Sequence, residues 1–381
     1  MEAVPLSVAA PEPYRRLPAA RPVALALQGG GSLGAFAWGV LDRLLDAPEL
    51  RIEMVSGTSA GAMNAALLVQ GLATGDAAEA KRLLEAFWRR VAAASGSPDI
   101  AGPDWLCPFG GIAGSLADAF RRTTAGALRR TARGLSQRQL NPLGLNPLQT
   151  ILADLLEPSV FGREGAPGLV VSATRVRTGE ARLFRDAEVT ADVLLASACL
   201  PQLFPAVEIE GEPYWDGGYS SNPPVGPLIV EAEGPTDLVI VRTTPVERPE
   251  PPSGVDGISE RISEIAFGAA LRQELRYVAV AQRLLAEQPP ETPGALARLR
   301  DARLHMIGAE EEFRALPGGS GLDARWVFLQ KMRDLGHDAA DRWLGANLAS
   351  VGVRSTVDLR ELARPSLGLH AGEDGQPRLG V

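Results

Sequence analysis

Residues 23–61 read VALALQGGGSLGAFAWGVLDRLLDAPELRIEMVSGTSAG, and the fold class follows from this stretch. Val23-Ala24-Leu25-Ala26-Leu27 is a short apolar run that stops at a glycine cluster, the pattern of a buried strand. From Gly34 to Leu45 the period turns helical, with Phe36, Val40, Leu41, Leu44 and Leu45 apolar. A second strand, Ile52 to Ser56, runs into Gly57, and a second helix spans Ala60 to Leu72. Strand, glycine loop, helix, strand, tight turn and helix in that order predict an α/β domain. Its central sheet is mostly parallel, flanked by helices in three layers and joined by right-handed crossovers.

Beyond this unit the pattern continues as an amphipathic helix from Lys81 to Ala94. Residues 95–146 then break it with Gly102, Pro103, Pro108, Gly110 and a run of arginines, and they read as an insertion. The core resumes at Gly168 to Ala173. A hairpin turns at Thr178-Gly179 into Ala181 to Phe184, a helix covers Ala191 to Cys199, and Asp237 to Val241 is a further buried strand. Pro245 to Val255 reads as a linker or long surface loop. Ile258 to Ala286 is a long helix with Ile258, Ile262, Ile265, Leu271 and Leu275 near one stripe. Arg303 to Ile307 fits a last strand. Two helices, near 323–334 and 338–350, and a polar tail close the chain, with the break between them at Leu335-Gly336-His337-Asp338.

The 381 residues carry 45% hydrophobic and 22% charged side chains, an ordinary globular balance. The net charge of −8 argues against nucleic acid as a partner. All but two of the 38 basic residues are arginine; the lysines are Lys81 and Lys331. Two cysteines, Cys107 and Cys199, cannot staple a chain of this size or build a structural zinc site. With three histidines as well, no metal site and no cofactor are expected. No apolar run reaches the ~20 residues of a membrane span, and residues 1–20 lack the pattern of a secretory signal. These features lead us to expect a cytoplasmic protein.

Two loops carry the chemistry. Gly29-Gly30-Gly31-Ser32-Leu33-Gly34 lies between a strand and a helix, where glycines let backbone N–H groups approach a ligand and the helix start adds positive potential. Alone it fits a phosphate cradle, an oxyanion loop or a plain tight turn. Gly29, Gly31 and Gly34 also match the dinucleotide fingerprint, with Glu53 at the spacing of its acidic partner but inside the strand rather than at its tip. Gly57-Thr58-Ser59-Ala60-Gly61 matches G-x-S-x-G with a strand before and a helix after, the context that lifts a nucleophilic serine out of a sheet. Gly57 and Gly61 keep that turn free of clashes, and the Ala60 N–H points the same way as the serine.

A serine nucleophile needs a base. His305 reads as a strand residue, His337 as part of a turn at a helix start, and His370 as part of the tail; each is expected to be structural. Asp216 in Tyr214-Trp215-Asp216-Gly217-Gly218 is the better candidate. Neighbouring aromatic rings would desolvate the carboxylate and raise its pKa, and Gly217 and Gly218 allow close approach. An Asp-Gly-Gly turn with no further role is the alternative for this segment alone.

Taken together these residues resemble the patatin-like phospholipase family. Gly29 to Gly34 resembles its glycine-rich oxyanion loop, Gly57 to Gly61 its nucleophile motif, Asp216-Gly217-Gly218 its Asp-Gly-Gly element, and Ala196 to Pro205 the segment leading there. The resemblance covers about residues 22–241, and one departure is Leu33, where many members carry arginine. It implies lipid acyl ester hydrolysis by a Ser59–Asp216 dyad without histidine, with an oxyanion hole from Gly29, Gly30, Gly31, Ser32 and Ala60. The expected organisation is a flexible tail (1–20), a catalytic domain (21–245) with the insertion, a helical extension packed on it (246–350) and a polar tail (351–381). Rival readings are a nucleotide-binding oxidoreductase built on Gly29 to Gly34, and a lipid-binding protein with a vestigial site. Arg121, Arg122, Arg129, Arg130 and Arg133, with no acid among them, suggest a peripheral contact with anionic membranes if that stretch is helical.

Overall fold

The computed structural model describes residues 20–95 and 146–358, apart from 235, 249, 253, 287–288, 290–292 and 317–319, together with the backbone of 369–371 and 377–379. Residues 1–19 and nearly all of the expected insertion, with Cys107 and the arginines from Arg121 to Arg133, lie outside the described residues.

The order is β1 (Arg21–Leu27), α1 (Gly34–Leu44), β2 (Leu50–Gly57), α2 (Ala60–Thr74) and α3 (Ala77–Ala94), then α4 (Pro147–Leu155), β3 (Gly168–Arg175), β4 (Ala181–Arg185) and α5 (Ala191–Ser197). There follow β5 (Val207–Ile209), β6 (Glu212–Asp216), α6 (Gly226–Val230), β7 (Asp237–Val241) and α7 (Val255–Leu285). The chain continues through α8 (Ala295–Asp301), β8 (Arg303–Ile307), α9 (Glu310–Arg314) and α10 (Trp326–Asn347) to a short ladder of β9 (Leu369–Ala371) and β10 (Pro377–Leu379).

The main sheet runs β5-β6-β3-β2-β1-β7-β8, with β4 also paired to β3. Strands β3, β2, β1, β7 and β8 are parallel, and β4, β5 and β6 add antiparallel pairs. The protein is therefore an α/β fold with a mixed, mostly parallel central sheet. From β1 the chain moves first to β2 on one side and later to β7 on the other. The carboxyl end of β1 is thus a topological switch point, where open α/β sheets hold ligands. Both motif loops emerge at this edge, because Leu27 pairs with Gly57 and with Val241 at the strand ends.

Strand alternation divides the core in two. Val23, Leu25 and Leu27 pack with α1, α2, α3 and α10 on one face; Ala24 and Ala26 pack with α6 and α7 on the other. Helix α2 is buried nearly all round, which explains its mostly small and apolar sequence. Asp76 caps α3 by accepting from Ala78 N–H and Glu79 N–H, and Asn146 caps α4 ahead of Pro147.

Two sequence expectations are corrected. The helices expected near 323–334 and 338–350 are one helix, α10, running through Gly336. A mid-helix glycine costs about 1 kcal/mol, but a Cβ there would lie 3.1 Å from Val40 N, so Gly336 permits the close crossing with α1. Gly39 does the same from the other side, where a Cβ would lie 2.8 Å from His337 N. The stripe on α7 also divides. Leu271 and Leu275 are buried, whereas Ile258, Ile262 and Ile265 face outward.

Candidate active site

Ser59 joins β2 to α2 with φ 55° and ψ −126°. A non-glycine residue held there stores about 1–3 kcal/mol of strain. The turn is tight enough that a Cβ on Gly57 would lie 2.7 Å from Ala62 N, and one on Gly61 would lie 3.0 Å from the Gln28 carbonyl carbon. Ser59 N–H donates to Ser197 Oγ at the end of α5, 2.9 Å away, which fixes the turn from outside.

Asp216 ends β6, opposite Ala173 of β3. Its N–H donates to Cys199 O (2.8 Å), and its carbonyl accepts from Thr174 Oγ1 (2.8 Å). One carboxylate oxygen, Oδ1, accepts from Gly218 N–H (2.7 Å); the other, Oδ2, accepts from the Ser59 hydroxyl (2.8 Å). The carboxyl is completely buried, and burial pushes its pKa from 3.8 up to about 7 against the lowering effect of those two hydrogen bonds. The expected aromatic neighbour Tyr214 meets Phe184 edge to face instead, at 5.7 Å between ring centroids. The Phe267 ring of α7 closes the Asp216 turn: a Cβ on Gly218 would lie 2.9 Å from its Cζ. On the other flank, a Cβ on Gly217 would lie 2.6 Å from Ser172 Oγ.

The glycine loop abuts the serine turn, since a Cβ on Gly29 would lie 2.7 Å from the Ser59 Cβ. Gly29 N–H is engaged, donating to Asn222 Oδ1 at 2.7 Å. This corrects the expectation that Gly29 is an oxyanion donor: its role is close approach and anchorage. Its carbonyl accepts from Thr243 Oγ1 (3.0 Å). Gln28 Oε1 in turn accepts from the N–H groups of Thr243 (2.9 Å) and Thr244 (3.2 Å). Among the described residues the N–H groups of Gly30, Gly31, Ser32 and Ala60 have no hydrogen-bond partner. They lie where the short 3₁₀ turn of residues 31–33 and the first turn of α2 begin.

The loop from Ser221 to Pro224 is stitched to the strand tips. Ser56 Oγ donates to Pro224 O (2.6 Å), Ser172 Oγ donates to Ser221 O (2.9 Å), and Thr58 Oγ1 lies 2.6 Å from Ser172 Oγ. Asn222 Nδ2 donates to Phe267 O (3.2 Å). Asn222, Ser197, Thr243 and Phe267 were not singled out from sequence. The Asn-Pro-Pro run was the one visible signal for Asn222.

The remaining candidates lie elsewhere. His305 is buried on β8, with Nε2 2.9 Å from Asp237 Oδ1 and Nδ1 3.0 Å from Thr356 Oγ1. Asp237 begins β7, at the amino edge of the sheet. Burial alone would raise its carboxyl; hydrogen bonds from His305, Arg303 and Gly352 N–H hold it below the ordinary value. His337 sits inside α10 and His370 on β9. Glu53 is exposed within β2 and paired with Arg51 at 2.5 Å, so it offers nothing to the glycine loop. Among the described residues no group of His, Cys, Asp and Glu side chains could hold a metal ion, and no helix is long and apolar enough to cross a membrane.

A mostly parallel sheet thus gathers a strained serine, a buried carboxyl and a glycine loop at its switch point, where open α/β sheets hold ligands. The sequence model of the patatin-like phospholipase family matches residues 25–229, more than half of the chain, and the chain belongs to that family. Membership places it, in general terms, among the lipid acyl hydrolases. No curated protein matches the sequence. The crystal structure of VipD from Legionella pneumophila is similar over 85% of this chain and 67% of its own, at 16% identity and a TM-score of 0.35, a likeness too distant to bear on function.

Proposed function

We propose that this protein hydrolyses lipid acyl esters with Ser59 as nucleophile and Asp216 as sole general base. The observation that carries the reading is the 2.8 Å hydrogen bond from Ser59 to a fully buried carboxyl whose pKa lies near 7. As Ser59 Oγ attacks the acyl carbonyl, its proton passes to Asp216 Oδ2. The carbonyl oxygen becomes an oxyanion held by N–H groups of Gly30, Gly31, Ser32 and Ala60, each such donor contributing about 3 kcal/mol to the transition state. Collapse breaks the ester bond, Asp216 protonates the departing alkoxide, and an acyl group remains on Ser59. Asp216 then takes a proton from water, the hydroxide attacks the acyl-enzyme, and Ser59 leaves with that proton as the fatty acid departs.

Intact-mass measurement after treatment with a fluorophosphonate tests this directly. One phosphonyl adduct is expected on the parent chain and none on Ser59→Ala, with release of fatty acid from a lipid panel lost in parallel. Equal labelling of both chains would place the nucleophile elsewhere. A folded parent that neither labels nor releases fatty acid would leave a lipid-binding protein.

A further inference from the structure

Helix α7 lies beyond the residues matched by the family, and its outer face is unusual. Ile258, Ile262 and Ile265 are 47%, 62% and 45% exposed. At ~100° per residue they share one stripe, which Arg272 and Arg276 continue two turns further on. Isolated surface isoleucines need no explanation, but three in register on one helix do. Among the described residues neither Arg272 nor Arg276 has an ion-pair partner, whereas Arg261 beside the stripe is bound to Glu264 at 2.9 Å. Burial, and then the neighbouring charges of Arg261 and Arg276, pull the Arg272 pKa down.

The opposite face of the same helix reaches the catalytic edge. The Phe267 ring closes the turn after Asp216, and its carbonyl accepts from Asn222. Two other exposed leucines border that edge. Leu322 is 67% exposed and follows Gly321, which packs against Gly30; Leu203 is 39% exposed in the turn after Cys199, whose carbonyl holds Asp216 N–H.

We infer that the outer face of α7 docks this protein on an anionic lipid bilayer, with Ile258, Ile262 and Ile265 entering the acyl boundary and Arg272 and Arg276 resting among acidic headgroups. Charge complementarity selects this occupant. A stripe apolar at one end and cationic at the other suits a surface that is apolar beneath and negative above. A second copy of the same stripe does not fit: packed antiparallel it sets arginines on isoleucines, and packed parallel it sets arginine on arginine. The inference rests on the acyl-lipid reading of the site for its purpose, since docking there brings the dyad to its substrate's own phase.

The test is flotation of the full chain with vesicles of phosphatidylcholine, alone or mixed with phosphatidylglycerol, across a salt series. Binding of the parent to the mixed vesicles is expected to weaken with salt. The triple variant Ile258→Ser, Ile262→Ser, Ile265→Ser is expected to lose about tenfold or more in partitioning. Arg272→Gln with Arg276→Gln is expected to lose about thirtyfold on the mixed vesicles and little on phosphatidylcholine. Both variants alter exposed or half-exposed side chains, so melting temperature and turnover of a soluble p-nitrophenyl ester are expected to match the parent. Parental vesicle binding by both variants overturns the proposal. So does a parent dimer that the isoleucine variant splits while still binding vesicles, which would assign the face to a second copy. Binding is also read on Ser59→Ala, which is expected to float like the parent, so failure of the hydrolase reading and failure of docking register separately.

Discussion

Replacing Asp216 by asparagine should stabilise the protein while destroying its activity, by an amount that depends on pH in a defined way. The asparagine keeps both hydrogen bonds: its oxygen accepts from Gly218 N–H, and its amide donates to Ser59 Oγ. What it removes is a buried charge. The carboxyl titrates near 7 in the folded protein and near 3.8 when exposed. A group raised in this way contributes stability that is complete below the unfolded value and is lost as pH climbs to the folded one. Relative to the asparagine variant, the parent therefore weakens progressively from about pH 4 to about pH 7 and is level above it. The full difference is about 4 kcal/mol, equivalent to about 5 °C in a chain of this length. The assay is a pair of thermal melts, parent and variant, in matched buffers from pH 4.5 to pH 9. Other titrating groups act equally on both proteins and cancel in the difference. Loss of the base should lower kcat/KM by about 10³-fold, and in the parent kcat/KM should rise about tenfold per pH unit up to pH 7 before levelling. A melting difference that does not grow with pH, or a variant less stable than the parent at pH 8, would refute the buried-base argument.

Ser59→Gly should be more stable than Ser59→Ala by about 1 kcal/mol, because only glycine accepts φ 55° and ψ −126° without strain; chemical denaturation compares them, and equal midpoints would deny that the turn is strained. Asn222→Ala should free Gly29 and let the glycine loop drift, lowering kcat about 100-fold with KM for a soluble ester little changed; a loss confined to KM would mean that the loop binds substrate rather than the transition state. His305→Gln should lower stability by about 1–3 kcal/mol by loosening the network around buried Asp237, while kcat of the folded fraction stays parental; a large fall in kcat without unfolding would replace the dyad with a triad.

The sheet and its two loops were legible because each depends on local pattern. The change from an apolar run to helical period locates β1 and α1, and glycines on either side of Ser59 mark a turn that no larger residue enters. Reading α10 as two helices failed for a physical reason. Gly336 carries the local signature of a break, but its role is to admit the backbone of α1, a contact made some 300 positions away. The stripe on α7 divides for a different reason: at ~100° per residue Leu271 and Leu275 lie roughly 80–180° round the helix from the three isoleucines, so the five never shared one face. Phe267 left no local signal and Asn222 only its Asn-Pro-Pro run, because their importance lies in reaching Gly218 and Gly29 across the fold. The Gly29 N–H was misassigned for the same reason: glycine content reveals an accessible backbone, not which N–H groups are already occupied.

A dyad without histidine places a specific demand on its surroundings. An exposed aspartate near 3.8 is too weak a base for a serine hydroxyl, whereas one near 7 matches an imidazole. Burial supplies that basicity and simultaneously destabilises the fold by about 4 kcal/mol at neutral pH, to which the strained Ser59 adds about 1–3 kcal/mol. The offset must come from packing around the site, and part of that packing lies outside residues 25–229. Phe267 covers the Asp216 turn, Thr243 holds the Gly29 carbonyl, and Gly321 lies against Gly30. Without those contacts water would reach the carboxyl, its pKa would fall, and the oxyanion loop would lose its backing. On the proposed mechanism, Phe267, Thr243 and Gly321, all after the family match, would act as positioning residues: Phe267 by shielding the Asp216 turn, Thr243 and Gly321 by backing the glycine loop.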